Sequence, residues 1–297
     1  MQSAWVRDQE ETLAGCSLKK PDNTAHHTLT KLSPQRNLVC DLLRDTDCYY
    51  LNHHIFMVDF SGIEKIRQDL TEQGQKAPSF VAFTLFALAE TLSDYPVFNS
   101  YLRDFPLRRL ALYRGVDIAY TALKTDLTGS RQLTLSILEQ CQNMCFRDFH
   151  DKYMNQCNSS LEGLGFYKIL KLFALIPDSL RFALFRLFCK PFPSVMRKIG
   201  GTVAFTSVGK YGVDITTPLS PKSLTLSLGA IKPRVIESEG KPCVKMAGYI
   251  TLTYDHRIAD GAECASLGNA IRHFMEFRLK DLHDSGELNN SSITKED

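Results

Sequence analysis

The sequence predicts an α/β layered sandwich with a mixed, mostly antiparallel sheet and helices packed against it. Segments rich in β-branched, aromatic and apolar residues occur in both halves of the chain, at His54 to Phe60 and at Gly248 to Thr253. Apolar stretches with helical periodicity lie at 79–92 and 262–278. Strand and helix do not alternate in the regular order of a parallel sheet, so we expect antiparallel pairs to predominate.

The first part of the predicted domain contains three helices and one strand. A short helix is predicted from Ser33 to Leu43. The half-buried strand His54 to Phe60 precedes a helix from Gly62 to Gln73. Ser79 to Leu92 is almost wholly apolar, which indicates a helix buried against a sheet, and Pro96 follows its end.

The later elements are predicted mainly as strands. Segments 99–103, 107–113 and 116–123 are separated by turn residues and are interpreted as adjacent strands. A polar helix is predicted from about Thr134 to Asn155. The closing elements are three strands and one helix, at 201–208, 223–229, 243–254 and 262–278.

Composition excludes several classes of protein. With 297 residues and 44% hydrophobic content, the chain can bury one large core or two modest ones. The formal charge of +2 gives no indication of a nucleic-acid partner. Nine cysteines without CxxC spacing favour neither disulfides nor a zinc ribbon. Cys141 and Cys145 are four apart on the predicted helix, but no His or carboxylate completes a site, so no metal is expected.

The ends of the chain are polar and aperiodic. We expect a flexible arm at 1–30, one domain at 31–283 and a flexible tail at 284–297. The first residues lack the basic and apolar pattern of a signal peptide, and no apolar run reaches the ~20 residues of a membrane span. The expected location is therefore cytoplasmic.

Segment 163–199 is both aromatic and basic. One interpretation is a helical hairpin packed on the core, whose second helix starts at Pro177 to Ser179. The alternative is a surface that meets a membrane or lines an acyl pocket, because a basic amphipathic helix pair can do either. Its cations, Lys168, Lys171, Arg181, Arg186 and Lys190, are expected on an outer edge, since burying a charge without a partner is costly.

His256 is the histidine whose surroundings suggest a site. It lies where a predicted strand meets a predicted helix, and Asp260 follows four residues later. A neutral imidazole with a pKa of ~6.5 can take a proton from a thiol or hydroxyl near pH 7. The alternatives are a core histidine with satisfied hydrogen bonds and, for Asp260, the N-cap of the following helix.

The wider motif resembles that of a known enzyme family. Residues 254–257 and 260–263, Tyr-Asp-His-Arg and Asp-Gly-Ala-Glu, resemble the signature of the catalytic domain of 2-oxoacid dehydrogenase dihydrolipoyl acyltransferases, the chloramphenicol-acetyltransferase-like family. Residues 200–209 are similar to the strand that supplies a hydroxyl to the active site in this family. Residues 33–36 and 95–99 resemble its opening helix and the turn after its buried helix, so the likeness extends over about 33–282.

The resemblance implies a role for each matching residue. His256 would be the base that deprotonates the thiol of coenzyme A or of another acceptor. Thr206 takes the position of the hydroxyl donor, and a donor aimed at the developing negative oxygen can lower the barrier by ~3 kcal/mol. Asp260 would pair with Arg36 of the opening helix and fix the geometry of the site.

Several features depart from the family pattern. A lipoyl domain, a subunit-binding domain and an Ala/Pro linker are not found, so we expect no lipoyl group on this chain. Residues 126–133 replace a Gly-Leu-Val-Val-Pro-like run, and 163–199 resembles an insertion. The pair His53-His54 with Asp59 imitates a condensation motif with the wrong spacing, and we interpret it as an edge of the first strand.

The sequence thus predicts a coenzyme-A-dependent acyltransferase that moves an acyl group between a thioester and an acceptor. As in the family, a homotrimer with sites between neighbouring subunits is implied. Contact of 163–199 with a membrane surface is a further interpretation that the sequence leaves open for such an enzyme. The alternative function is a non-catalytic trimeric scaffold or assembly subunit derived from the same fold.

Overall fold

The computed structural model describes residues 34–74, 76–104, 106–125, 131–159, 176–238 and 240–289. The predicted arm at 1–30 lies outside these ranges, as does the predicted insertion up to residue 175. The helices of the described part are α1 (Pro34–Asp45), α2 (Ser61–Glu72), α3 (Phe80–Leu92), α4 (Phe146–Asn158), α5 (Asp178–Phe188), α6 (Pro193–Gly200), α7 (Gly261–His273) and α8 (Leu279–Asp284). The strands are β1 (Leu51–Asp59), β2 (Ser100–Arg103), β3 (Arg109–Leu112), β4 (Ile118–Thr125), β5 (Arg131–Leu138), β6 (Val203–Ser207), β7 (Leu224–Leu228), β8 (Lys232–Ser238) and β9 (Lys241–Asp255).

One mixed sheet organises the molecule. Its strand order is β1-β9-β7-β6-β4-β5, and β8 pairs with the first half of β9. The pairs β4/β6 and β6/β7 are parallel, whereas the other pairs of this sheet are antiparallel. The predicted mixed, mostly antiparallel sheet is confirmed.

The core lies between this sheet and the helices. Helix α3 is buried on nearly every side, as its apolar sequence predicted. The Phe83 ring stacks on Phe146 of α4 at 4.4 Å between centroids. A Cβ on Gly268 of α7 would lie 3.1 Å from Phe56, so α7 packs closely on β1. This packing fixes the end of β9, from which α7 follows.

Two predicted elements differ from the structure. The polar helix predicted from about Thr134 to Asn155 is wrong in its first part, because residues 131–138 form β5 and pair with β4. Leu133, Leu135 and Ile137 alternate with polar residues in a strand pattern. The three strands predicted at 99–123 are present, but only two of them are adjacent: β2 and β3 pair in a separate two-stranded sheet, whereas β4 joins the main sheet.

The predicted tail begins too early. Residues 287–289 form a 3₁₀ turn, and Leu288 is only 2% exposed within the core. The apolar side chain of Leu288 thus holds residues 287–289 against the core.

Residues 176–200 pack on the body of the molecule through buried ion pairs. Helix α5 starts at Asp178 after Pro177, as predicted. Arg181 is 1% exposed and pairs with Asp41 and Asp178. The predicted outer-edge position of Arg181 is therefore wrong, because two carboxylates compensate its buried charge. No helix in the described part of the chain has the length and hydropathy needed to cross a bilayer.

Two further cations in this region also point inward. Lys190 pairs with the buried Asp45 of α1 at 2.5 Å, and Arg197 pairs with Asp117 at 2.5 Å. Asp117 precedes β4, so the segment is joined both to α1 and to the main sheet. The interpretation of 163–199 as a segment packed on the core agrees with these contacts for residues 176–199.

Candidate active site

His256 is the first residue after the long strand β9, which pairs with β1, β7 and β8. Its backbone N–H donates to the carbonyl of Tyr50 at 2.8 Å. Its side chain is 45% exposed. The backbone of this residue is therefore held by a neighbouring segment, while the imidazole remains accessible to a substrate.

The residues on either side of His256 form a clamp that sequence reasoning missed. Asp255 is 1% exposed and accepts hydrogen bonds from the Arg257 guanidinium at 2.6 to 2.9 Å. It also accepts from the Tyr50 N–H at 3.4 Å. Arg257 lies over the Tyr49 ring at 4.9 Å. The turn that carries His256 is thus fixed through a buried bidentate ion pair.

Asp260 begins α7 as its N-cap residue, and its N–H donates to Glu263 at 2.9 Å. Its carboxylate lies 3.9 Å from His256 Nδ1, which exceeds hydrogen-bond distance. The Asp260 side chain is 85% exposed within the single chain. Arg36 is also exposed, on α1. The pairing of Arg36 with Asp260 stays a prediction.

Thr206 lies in β6, whose position depends on Gly201. Gly201 has a φ of +67°, and a Cβ there would lie 2.7 Å from the Asp117 carbonyl, so a side chain is excluded between α6 and the β4/β6 pair. The Thr206 hydroxyl lies 3.3 Å from the hydroxyl of Thr121 on β4. Its register partner on β7 is Ser227, which in turn is paired with Thr251 on β9. Hydroxyl residues therefore occupy one row across four strands.

The single chain does not bring His256 and Thr206 together. Thr206 is in register, through Ser227, with Thr251, and His256 lies five residues further along the chain than Thr251. At about 3.4 Å per residue, this offset is about 17 Å along the sheet. Within one copy of the chain, the two residues therefore do not form a common site.

The other candidates have structural roles. His53 and His54 lie within β1, which starts at Leu51, and not at its end as predicted. The Nδ1 atom of His53 is 2.8 Å from the Thr253 hydroxyl. Burial lowers the pKa of His53. Cys141 does not lie on a helix, and burial raises the pKa of its thiol to about 12. Within the described residues, no three metal-ligating side chains gather into a possible metal site.

Comparison with known proteins shows which family the candidate site resembles. Residues 197–282 match the family model described as 2-oxoacid dehydrogenases acyltransferase (catalytic domain). The resemblance to this family is confirmed. The match runs from α6 to α8 and contains both Thr206 and His256.

Two curated relatives agree with this match. The chain is 25% identical over 225 residues to the dihydrolipoyllysine-residue succinyltransferase component of 2-oxoglutarate dehydrogenase complex of Rickettsia typhi, covering 74% of this chain and 48% of the relative. It is 37% identical over 84 residues to the dihydrolipoyllysine-residue acetyltransferase component of pyruvate dehydrogenase complex of Mycobacterium bovis, covering 26% and 15% respectively. The chain thus spans about half the length of the first of these acyltransferases.

Solved structures agree on the fold. A probable dihydrolipoamide acetyltransferase from Listeria monocytogenes superposes with a TM-score of 0.63 at 16% identity, over 84% of this chain and 95% of that one. The cubic core of the pyruvate dehydrogenase multienzyme complex superposes with a TM-score of 0.59 at 16% identity, over 89% and 99%. The predicted fold class is therefore confirmed.

Proposed function

We propose that the chain is a coenzyme-A-dependent acyltransferase that moves an acyl group between a thioester and an acceptor thiol. The observation that carries this proposal is that His256 of the matched motif has a fixed backbone and an accessible side chain. Its backbone is held at the end of β9, its flanking Asp255 and Arg257 form an ion pair, and its imidazole is accessible. A general base needs this combination of fixed position and access.

The reaction needs one proton transfer and one acyl transfer. Neutral His256 takes the proton of the acceptor thiol, and the thiolate sulfur attacks the thioester carbonyl. A negative charge develops on the carbonyl oxygen, toward which the Thr206 hydroxyl donates a hydrogen bond. When this intermediate collapses, the new carbon–sulfur bond remains, the old one breaks, and the imidazolium returns its proton to the departing thiolate.

The proposed site lies between two copies of the chain. His256 of one copy and Thr206 of its neighbour would then meet, since the two residues are far apart within a chain. A closed homotrimer gives three equivalent sites of this kind, because each interface is repeated by the symmetry. Pairing of Arg36 with Asp260 would likewise depend on the assembled state.

The names of the curated relatives contain the term dihydrolipoyllysine-residue, so an acyl-dihydrolipoyl group is the first thioester to test. The test is to incubate the purified protein with acyl-coenzyme A thioesters and dihydrolipoyl acceptors and to follow the release of free thiol. His256→Ala should reduce transfer by ~100-fold to ~10,000-fold. His273→Ala, at an exposed histidine of α7, is the control and should retain the activity.

A second candidate is a non-catalytic scaffold with the same fold. The distance of 3.9 Å from Asp260 to the imidazole, which is too long for a hydrogen bond, favours it. Absence of thiol release with every thioester, from a protein that forms its oligomer, would support the scaffold and contradict the enzyme.

A further inference from the structure

The β2–β3 hairpin places two arginines directly opposite each other. Arg103 on β2 is the register partner of Arg109 on β3. Opposite residues of an antiparallel pair point to the same face, with Cβ atoms about 4.5 to 5.5 Å apart. Two like charges on directly opposite residues repel, which is unfavourable for the hairpin.

The acid beside this pair is used elsewhere. Asp104 contacts Arg108 at 3.5 Å and Arg257 at 3.5 Å. Among the described residues, no carboxylate pairs with Arg103 or Arg109. The Nε atom of Arg103 is buried and has no hydrogen-bond partner in that part of the chain. A charged donor without an acceptor is costly, so an acceptor that binds the remaining, accessible part of the Arg103 guanidinium would stabilise this region.

We propose that Arg103 and Arg109 bind a phosphate group of a ligand. A guanidinium presents a fork of donors that matches phosphate oxygens in a bidentate way. The guanidinium groups of Arg103 and Arg109 together carry two positive charges. One phosphomonoester can balance both, because its charge near pH 7 is about −1.5 to −2. A single carboxylate would neutralise only one of them.

The hairpin lies next to the turn that carries His256. Asp104, the residue after Arg103, contacts Arg257, the residue after His256. Coenzyme A carries phosphates at the end remote from its thiol, so a phosphate site beside the histidine turn, rather than at the imidazole, suits this cofactor. The identity of the ligand rests on the proposed function; the phosphate site itself does not.

The test compares Arg109→Gln with Lys241→Gln. Arg109 is exposed, so its replacement should leave the fold intact, and Lys241 is an exposed cation on the distant β8–β9 hairpin. Calorimetry would measure binding of coenzyme A, 3′-dephospho-coenzyme A, pantetheine and inorganic pyrophosphate. We expect Arg109→Gln to weaken coenzyme A binding about tenfold or more, as for a charged hydrogen bond, and to leave pantetheine unchanged. Lys241→Gln should match the parent protein.

A second measurement needs no ligand. Without phosphate, Arg109→Gln should raise Tm at low salt, because it removes the repulsion with Arg103, and high salt should reduce the gain.

The outcomes separate the two proposals. Loss of affinity for coenzyme A but not for the 3′-dephospho form places the 3′-phosphate on the arginines, and loss for both places the pyrophosphate there. Pyrophosphate binding that depends on Arg109, without coenzyme A binding, would keep the phosphate site and reject the proposed cofactor. Equal binding by the parent protein and Arg109→Gln, or no binding of any phosphate ligand, would overturn the phosphate site.

Discussion

Thr206 supplies one hydroxyl, and removing that hydroxyl tests its role in the reaction. Thr206→Val keeps the shape of the side chain. We expect it to lower kcat about 100-fold to 1,000-fold with little change in substrate affinity, because the donor acts on charge that develops in the transition state. Thr206→Ser restores a hydroxyl and should recover most of the rate. A loss confined to affinity in steady-state kinetics would instead identify Thr206 as a substrate contact.

Lys222 gives the stability of the protein a defined pH dependence. Burial lowers the pKa of its ammonium from 10.5 to about 8, although Asp117 and Asp45 act in the opposite direction. Between these two values the unfolded chain binds a proton that the folded chain does not, so stability rises with pH, by at most about 1.4 kcal/mol per pH unit.

Lys222→Met removes this dependence. Its stability relative to the parent protein should be highest below pH 8 and should fall as the pH approaches 10.5. The lost hydrogen bond from Nζ to the Gly201 carbonyl, 2.8 Å long, adds an offset that does not vary with pH. Chemical denaturation of both proteins from pH 7 to 10 measures the difference, and a constant difference would contradict the assignment.

Individual site residues differ in how well a sequence can predict them. His256 could be found because its motif is local: a strand, a histidine and a helix start within a few residues. The Arg103–Arg109 pair could not, because it depends on the register of two strands. The contacts of Tyr50 with Asp255 and His256 join residues about two hundred positions apart, and such contacts leave no local pattern.

At the scale of elements, Arg181 is the anchor of α5. Arg181→Ala leaves Asp41 without this partner and removes a buried side chain, and we expect it to reduce the free energy of unfolding by about 3 kcal/mol or more. Arg186→Ala, at an exposed arginine of the same helix, should change it by no more than about 0.5 kcal/mol. Equal effects of the two replacements in denaturant titrations would show that the buried ion pair does not anchor the helix.

The same anchors bear on membrane contact through 163–199. Arg181, Lys190 and Arg197 point inward to carboxylates, so they are not available to anionic lipids. Each basic residue near a membrane surface contributes about 1 kcal/mol of attraction, and these three contributions are absent. We expect no co-flotation with anionic vesicles at low salt. Flotation that weakens with added salt would contradict this and restore the membrane interpretation.

The elements that sequence reasoning misassigned share a physical cause. The sequence of β5 alternates as in a strand, but the polar residues that follow it are also compatible with a helix. The hydrogen bonds to β4 favour the strand over the helix, and they are not visible in the local sequence. Strand β8 was not predicted. Val235 of β8 is exposed, as is its register partner Val244 on β9. An apolar residue that is not buried gives no signal of a half-buried strand in the sequence. In contrast, α3 and β9 are buried along most of their length, and both were predicted.

At the scale of the whole molecule, the proposed site requires an oligomer. The sheet separates His256 from Thr206 by several residues along the strand direction within one chain, so contact between two copies has to complete the proposed site. Light scattering should therefore give a mass three times the 33.6 kDa of the chain. A monomer at micromolar concentration would be inconsistent with a shared site.

Complementation between two inactive variants tests this central claim most directly. His256→Ala and Thr206→Val are each expected to be nearly inactive, and the two are co-expressed so that they assemble together. If each site takes its histidine from one copy and its threonine from the next, random assembly makes about one site in four intact, and thiol release should return to about a quarter of the parent rate. If activity stays at the level of the separate variants while mixed oligomers are present, the site is not shared between copies.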